Sequence, residues 1–334
     1  MHRFTLSLLG VLVVQTCSTF AININSYVYY NDNGQIQNIG KQVENYSSTN
    51  EVFLKTLTVG VDGAVSTPVH LDYPSQWRDA TLPQPYPKFT ALIDSPPLPN
   101  NTDFTVDPSN AVKESMTGWS SATNFDGNIT VDAEFENTQY QQTTTVIPTN
   151  LQNLLTSMRE LANNDSRGFS FYLNPKYLDP NRYSKNANLN AQTVANLLGS
   201  ETSNYVIFPT YIDGGGLANA TSFQRSITTA ENNNLRYRLD LNIQDDTTTF
   251  ATAMGYLADP LAQGWQGFTA WSFSNNTSPV PSANMIANLK TLENFTGEEP
   301  PVVPEPGTLL LALLGLALLP RRCRKEGRRQ VWVS

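Results

Sequence analysis

The sequence predicts an α/β protein, a single (β/α)₈ TIM-type barrel, with a leader before the fold and a short apolar tail segment after it. Three observations predict it. Short runs rich in β-branched and aromatic residues alternate with runs of helical periodicity along the whole body. Eight strand candidates can be traced, seven of them followed by a helix candidate, and several end in acidic or amide residues, as expected where strand-to-helix loops gather at one mouth. An open doubly wound sheet made from the same units is the competing topology.

The strand candidates are residues 22–30, 52–59, 89–94, 124–137, 169–173, 205–211, 237–244 and 268–273. In the first, Asn23, Asn25, Tyr27 and Tyr29 share a face. In the seventh, Leu239, Leu241 and Ile243 lie opposite Arg238, Asp240, Asn242 and Gln244. Helices are expected at 36–46, from Asp107-Pro108-Ser109 through Trp119, and from a capping Thr149 through Leu151, Leu154, Leu155, Met158 and Leu161. Further helices are expected at 191–198, stopped by Gly199, and at 223–231, 249–257 and 283–292. Residues 62–87 form a long Pro-containing connection.

The fourth strand organises the rest. Ile129, Val131, Ala133 and Phe135 share one face, and Asn128, Thr130, Asp132, Glu134 and Glu136 share the other. The apolar face calls for a cover of helices. Three like charges about 7 Å apart on the polar face are too costly for a dry core, so they point to a wet functional cleft. A solvated face of an antiparallel sheet would show the same pattern.

Both ends carry sorting features. Residues 1–21, with His2, Arg3 and an apolar run 6–14 closed by Thr19-Phe20-Ala21, have the form of a secretory signal peptide. The fold is expected to occupy residues 22–298 and a sorting tail residues 299–334. That tail holds Val303-Pro304-Glu305-Pro306-Gly307, an apolar run 308–319 and Arg321-Arg322-Cys323-Arg324-Lys325. Its order resembles the PEP-CTERM sorting signal of Gram-negative bacteria. The resemblance implies an exosortase-type processing enzyme as a partner, transient membrane contact through the apolar helix, and a secreted, cell-surface or extracellular-matrix location. A dozen apolar residues fall short of an ordinary membrane anchor.

Of the 21 basic and 29 acidic residues, the sorting segments hold Arg3, six basic residues after Pro320, Glu299, Glu305 and Glu326. The body keeps 14 and 26, a net charge of −12, which argues against nucleic-acid or anionic-lipid partners. Cys17 and Cys323 both lie in the sorting segments, so the body offers no disulfide, thiolate nucleophile or zinc-thiolate site. Its one histidine, His70, reads as an incidental surface residue. Any catalysis must therefore run on carboxylates, tyrosines and amides, with no cofactor and no metal expected. Calcium on Asp132, Glu134 and Glu136 suits the oxygen ligands, but three side chains along one strand diverge too far to converge on an ion.

Asp126-Gly127 followed by Ile129-Thr130-Val131-Asp132-Ala133-Glu134 resembles the fourth-strand signature of family 18 glycoside hydrolases, the chitinases and their relatives. The spacing carries one extra residue after Gly127, and Thr130 stands where the middle Asp belongs. The resemblance implies that Glu134 protonates the glycosidic oxygen while Asp132 positions the substrate's N-acetyl group, whose oxygen is the nucleophile. It also makes Tyr211 a sixth-strand catalytic candidate and Trp271 an eighth-strand subsite aromatic. Two carboxylates two residues apart repel, so one of the pair keeps its proton to higher pH, as a general acid requires. Glu136 could serve in place of Glu134. In the barrel reading the mouth gathers Asp94, Glu134, Glu136, Asn174, Tyr211, Asp213, Gln244, Asp245 and Trp271. The substrate-binding candidates are Glu136, Trp271, Tyr29, Asp94, Asn242 and Asp213. Three functions fit: hydrolysis of a β-linked, N-acetylated polysaccharide, non-catalytic carbohydrate binding by the same barrel, and a structural role in the extracellular matrix.

Overall fold

A computed structural model describes residues 24–28, 49–66, 88–95, 98, 103–120, 125–133, 147–181, 187–210, 220–243, 247–255, 264–271 and 283–293. The chain divides into two units, Met1–Thr296 and Gly297–Ser334, and every described residue belongs to the first. The expected helix at 36–46, His70 and both sorting segments lie outside the described residues.

Eight strands form a closed parallel barrel in chain order: β1 (Ile24–Val28), β2 (Thr49–Thr58), β3 (Lys88–Ser95), β4 (Ile129–Ala133), β5 (Phe169–Tyr172), β6 (Tyr205–Pro209), β7 (Tyr237–Asn242) and β8 (Trp265–Trp271). Closure comes from β1 pairing with β8, with Asn25 opposite Thr269, which excludes the open sheet. The described helices are α1 (Ser109–Ser120), α2 (Thr149–Asn164), α3 (Ala187–Leu198), α4 (Ala220–Asn232), α5 (Thr247–Gly255) and α6 (Ala283–Glu293). Each follows one strand from β3 to β8, the connection that parallel neighbours require. No helix among the described residues is long and apolar enough to cross a membrane.

The two faces of β4 separate as alternation demands. Ile129, Val131 and Ala133 are buried in one apolar cluster with Val112 and Met116 of α1 and Leu151, Leu154, Leu155 and Met158 of α2. Phe89, Ala91 and Ile93 of β3, Phe169 and Phe171 of β5, and Leu239 and Leu241 of β7 join it. Each Val, Leu, Ile, Phe or Met side chain among them contributes roughly 1.5–3 kcal/mol of burial free energy. A second cluster, Phe53, Leu92, Tyr172, Tyr205 and Ile207, takes the alternate positions and fills the barrel interior.

Several local details depart from the sequence reading. Thr149 does not cap α2: the N-cap position is Pro148 and no side chain of its own caps there. Asp103 does the work from a distance, accepting the Asn150 amide at 2.6 Å and the Leu151 amide at 3.1 Å. The strand in β8 begins at Trp265 rather than Phe268, because Tyr237 of β7 already pairs with Trp265. In β2 it begins at Thr49, which pairs with Ile24. Helix α3 starts four residues before the expected 191 and stops where expected, with Gly199 at φ 70°, a conformation glycine adopts without penalty.

Candidate functional site

The barrel interior is built in tiers. At the amino-terminal ends of the strands lies a polar floor. Glu51 of β2 takes hydrogen bonds through Oε1 from Thr90 Oγ1 and from the Asn128 amide at 2.9 Å. Its other oxygen lies 3.8 Å from Arg238 of β7. Strands β2 and β7 are not neighbours in the sheet, so this contact can only cross the interior. The Arg238 guanidinium sits over the Tyr205 ring, 4.2 Å from its centroid, and the Tyr205 hydroxyl accepts from Asn128 Nδ2 at 3.1 Å. Burial pushes the Tyr205 phenol up to about 12; Glu51 adds to the rise and Arg238 opposes it. Tyr205 therefore stays neutral at any ordinary pH.

Asp126 and Gly127 belong to this lower end. Asp126 Oδ1 accepts the Phe89 amide at 2.9 Å, and the Gly127 amide donates to the Phe89 carbonyl at 2.8 Å. A Cβ on Gly127 would lie 2.6 Å from Thr90 Oγ1 and 2.8 Å from the Phe89 carbonyl carbon and oxygen, so only glycine fits. The first two letters of the motif thus stitch β4 to β3, far from the strand ends where chemistry is expected. Thr130, one tier above, is fully buried and shares a 2.7 Å hydrogen bond with Ser170 Oγ.

The carboxyl-terminal ends of the strands carry the upper tier. Asp94 of β3 and Asp132 of β4 are register partners. Both lie in phase with interior residues, Asp94 after Thr90 and Leu92, and Asp132 after Asn128 and Thr130. Neighbouring strands run about 4.8 Å apart, so the two carboxylates sit side by side on one wall. Asp94 is 9% exposed, and Asp132 is half-buried. Across the barrel Asn242 of β7 is the register partner of Trp271 of β8, and Asp240 that of Thr269. Thr269 is fully buried, and its hydroxyl has no hydrogen-bond partner among the described residues.

Of the candidates named from sequence, Asp94, Asp132, Asn242 and the backbone of Trp271 thus occupy the same end of the barrel. Tyr29, Glu134, Glu136, Tyr211, Asp213, Gln244 and Asp245 lie outside the described residues. Asn174, two residues past β5, is buried, and its Oδ1 accepts the Lys176 amide at 3.0 Å, capping a 3₁₀ turn at Pro175–Leu178. Among the described residues no group of three or more His, Cys, Asp or Glu gathers to hold a metal ion.

The loop after β5 is pinned beside this end. Asp179 accepts from Arg225 Nε at 2.7 Å and Nη2 at 2.8 Å, and from the Ser222 hydroxyl, all on α4. Burial raises the Asp179 carboxyl, but the Arg225, Ser222 and Asn181 hydrogen bonds outweigh it and hold the group below its usual range. Sequence reading missed Glu51, Asp240 and Thr269. The alternation of β7 already placed Asp240 beside Asn242, and that was the available signal.

A closed eight-stranded parallel barrel with acids at its carboxyl-terminal rim defines the class, an α/β barrel of the kind many enzymes use. No family model matches the chain, and no curated protein matches it in sequence. Among solved structures it is similar to the spore cortex-lytic enzyme SleL of Bacillus megaterium, at 10% identity and TM-score 0.53, over 83% of this chain and 75% of that one. SleL of Bacillus cereus matches at 12% identity and TM-score 0.49, over 82% and 75%. A chitinase of Chromobacterium violaceum matches at 11% and 0.48, over 82% and 100%. At these identities the likeness speaks for the barrel fold alone.

Proposed function

We propose that this protein is a secreted glycoside hydrolase acting on a β-linked, N-acetylated polysaccharide. The observation that carries the reading is the placement of Asp132: inward, half-buried, at the carboxyl-terminal end of β4 and beside Asp94. That is the end where barrels of this class keep their chemistry. Glu134 follows two places later in the sequence, in phase with Asp132 if the strand's alternation continues.

In this reading Asp132 accepts the amide N–H of the substrate's acetamido group and turns its carbonyl oxygen toward the anomeric carbon. Glu134 delivers a proton to the glycosidic oxygen as that bond breaks, so the leaving sugar departs as a neutral alcohol. The acetamido oxygen forms the new bond to the anomeric carbon, and water, deprotonated by Glu134, opens it. Tyr211, two places after β6 in the sequence, and Trp271, the last residue of β8, are the proposed partners, with Tyr29, Glu136, Asn242 and Asp213 proposed to line the sugar's path. The leader and the Pro-Glu-Pro tail fit export followed by exosortase-type processing at the surface of a Gram-negative cell.

One observation favours a second reading, a carbohydrate-binding barrel without catalysis. Thr130, where the motif has its middle acid, is engaged with Ser170 in the dry interior. A glycan panel with product analysis separates the two. Cleavage by the wild type that Glu134→Gln abolishes supports the hydrolase. Binding without cleavage in both forms supports the lectin, and no glycan binding in either form removes both.

A further inference from the structure

Among the described residues, helices α1, α2 and α6 each expose an ionised side chain, Glu114, Glu160 and Lys290 in turn. Helices α3 and α4 expose none. Their outward positions carry amides and hydroxyls instead: Asn188, Gln192 and Asn196 recur every four residues on α3, and Gln224, Thr228 and Asn232 do the same on α4. Side chains at that spacing share a helix face and stand about 6 Å apart along it. The charged residues within α4 are engaged elsewhere. Half-buried Arg225 donates to Asp179 at 2.7 and 2.8 Å, and Glu231 accepts from the Tyr237 hydroxyl at 2.7 Å. The two rows meet where Asn233, just past α4, donates to Asn188 Oδ1 at 3.2 Å.

An uncharged strip on a body of net charge −12 narrows the partner. To nucleic acid or anionic lipid it offers no cation. To a second copy, or to another folded protein, it offers no apolar centre, since Leu189 is the one large apolar side chain it exposes among the described residues. A stable protein interface buries about 1,200–2,000 Å² around such a centre, and two copies of an acidic body repel. Amides both donate and accept, which suits a neutral polymer whose hydroxyl and acetamido groups do the same. Bonds that are singly weak and regularly spaced gain strength against a ligand that also repeats. We propose that the α3–α4 strip is an accessory face that holds an uncharged, insoluble polysaccharide, apart from the barrel interior. The inference rests on the reading above for its choice of polymer, β-linked N-acetylglucosamine, and uses none of the residues of the proposed reaction.

The test measures depletion of the purified full chain from solution by insoluble chitin. Glu134→Gln is present throughout so that no glycan is consumed, and excess soluble N-acetylglucosamine tetramer fills the proposed barrel site. Retention in the presence of tetramer is expected, and it is expected to survive a rise in salt from about 0.05 to 0.5 M, since no charge takes part. Adding Gln192→Ala, Asn196→Ala, Gln224→Ala and Asn232→Ala together should weaken retention at least about tenfold. Alanine favours exposed helix positions, so an unchanged Tm is expected and separates lost contacts from misfolding. The same number of substitutions is not needed for the control: Asn110→Ala with Asn284→Ala, on α1 and α6, should leave retention unchanged. No retention once tetramer is present, equal retention by the strip variant, or retention abolished by salt overturns the accessory face and leaves the hydrolase reading standing. Concentration-dependent dimers that the strip variant loses, without retention on chitin, assign the face to a second copy and overturn the proposal. Retention that the strip variant loses, in a chain whose barrel neither binds nor cleaves N-acetylated oligomers, overturns the hydrolase reading and supports the accessory face.

Discussion

Arg238→Met tests the polar floor of the barrel. Arg238 and Glu51 are 7% and 6% exposed, so neither charge has water to fall back on. With Arg238 replaced by an apolar side chain of similar length, Glu51 keeps its bonds from Thr90 and the Asn128 amide but loses the cation 3.8 Å from its second oxygen. Stranding one member of a buried pair costs about 3–5 kcal/mol, and the long separation here places the expected loss near the lower end. Loss of the guanidinium over the Tyr205 ring contributes about 1 kcal/mol of that total. For a body of this size the sum corresponds to a fall in Tm of about 6–10 °C. Thermal unfolding followed by circular dichroism measures it. Glu51→Gln combined with Arg238→Met removes both charges, leaves the Gln carbonyl to accept from Thr90 and Asn128, and is expected to recover at least about 1 kcal/mol of the loss. A single variant within about 2 °C of the wild type, or a double variant showing the plain sum of the two single losses, would refute the reasoning.

Asp179→Asn should cost about 2 kcal/mol at pH 7 by weakening the charged bonds from Arg225, a figure reduced for the partial exposure of that arginine. Because folding lowers the Asp179 pKa from 3.8, its contribution is complete above that value and disappears as the pH falls through the lower folded one. Urea midpoints should therefore differ at pH 7 and converge toward pH 2. Asp103→Ala uncaps α2 and should lower stability by about 1 kcal/mol, read from the same urea midpoints. Gly127→Ala forces a Cβ against the Phe89 backbone and should cost about 2–4 kcal/mol, visible as loss of soluble protein or a lower Tm. An Ala variant as stable as the wild type would contradict the close packing of β3 and β4.

Much of the architecture could be read directly because alternation and periodicity are local. Ile129, Val131 and Ala133 announced an outer face under helices, and Leu151 through Leu161 announced the helix that covers it. Contacts made across the barrel could not be read that way. Glu51, Tyr205 and Arg238 lie on three strands far apart in sequence, and nothing near any one of them signals the other two. The same reason explains the cap of α2, which comes from Asp103 and not from Thr149 beside it. Asn174 follows a strand, and pattern alone did not show that its Oδ1 caps the next turn. Within the motif, pattern alone could not divide labour: Asp126 and Gly127 join strands at the floor, while Asp132 stands at the rim.

The most direct test of the account is a crystal structure of the Glu134→Gln full chain with an N-acetylglucosamine tetramer bound. The account predicts a sugar at the carboxyl-terminal end of the barrel, with an acetamido N–H within hydrogen-bond distance of Asp132. A tetramer seated on another surface, with Asp132 touching no sugar, would contradict it.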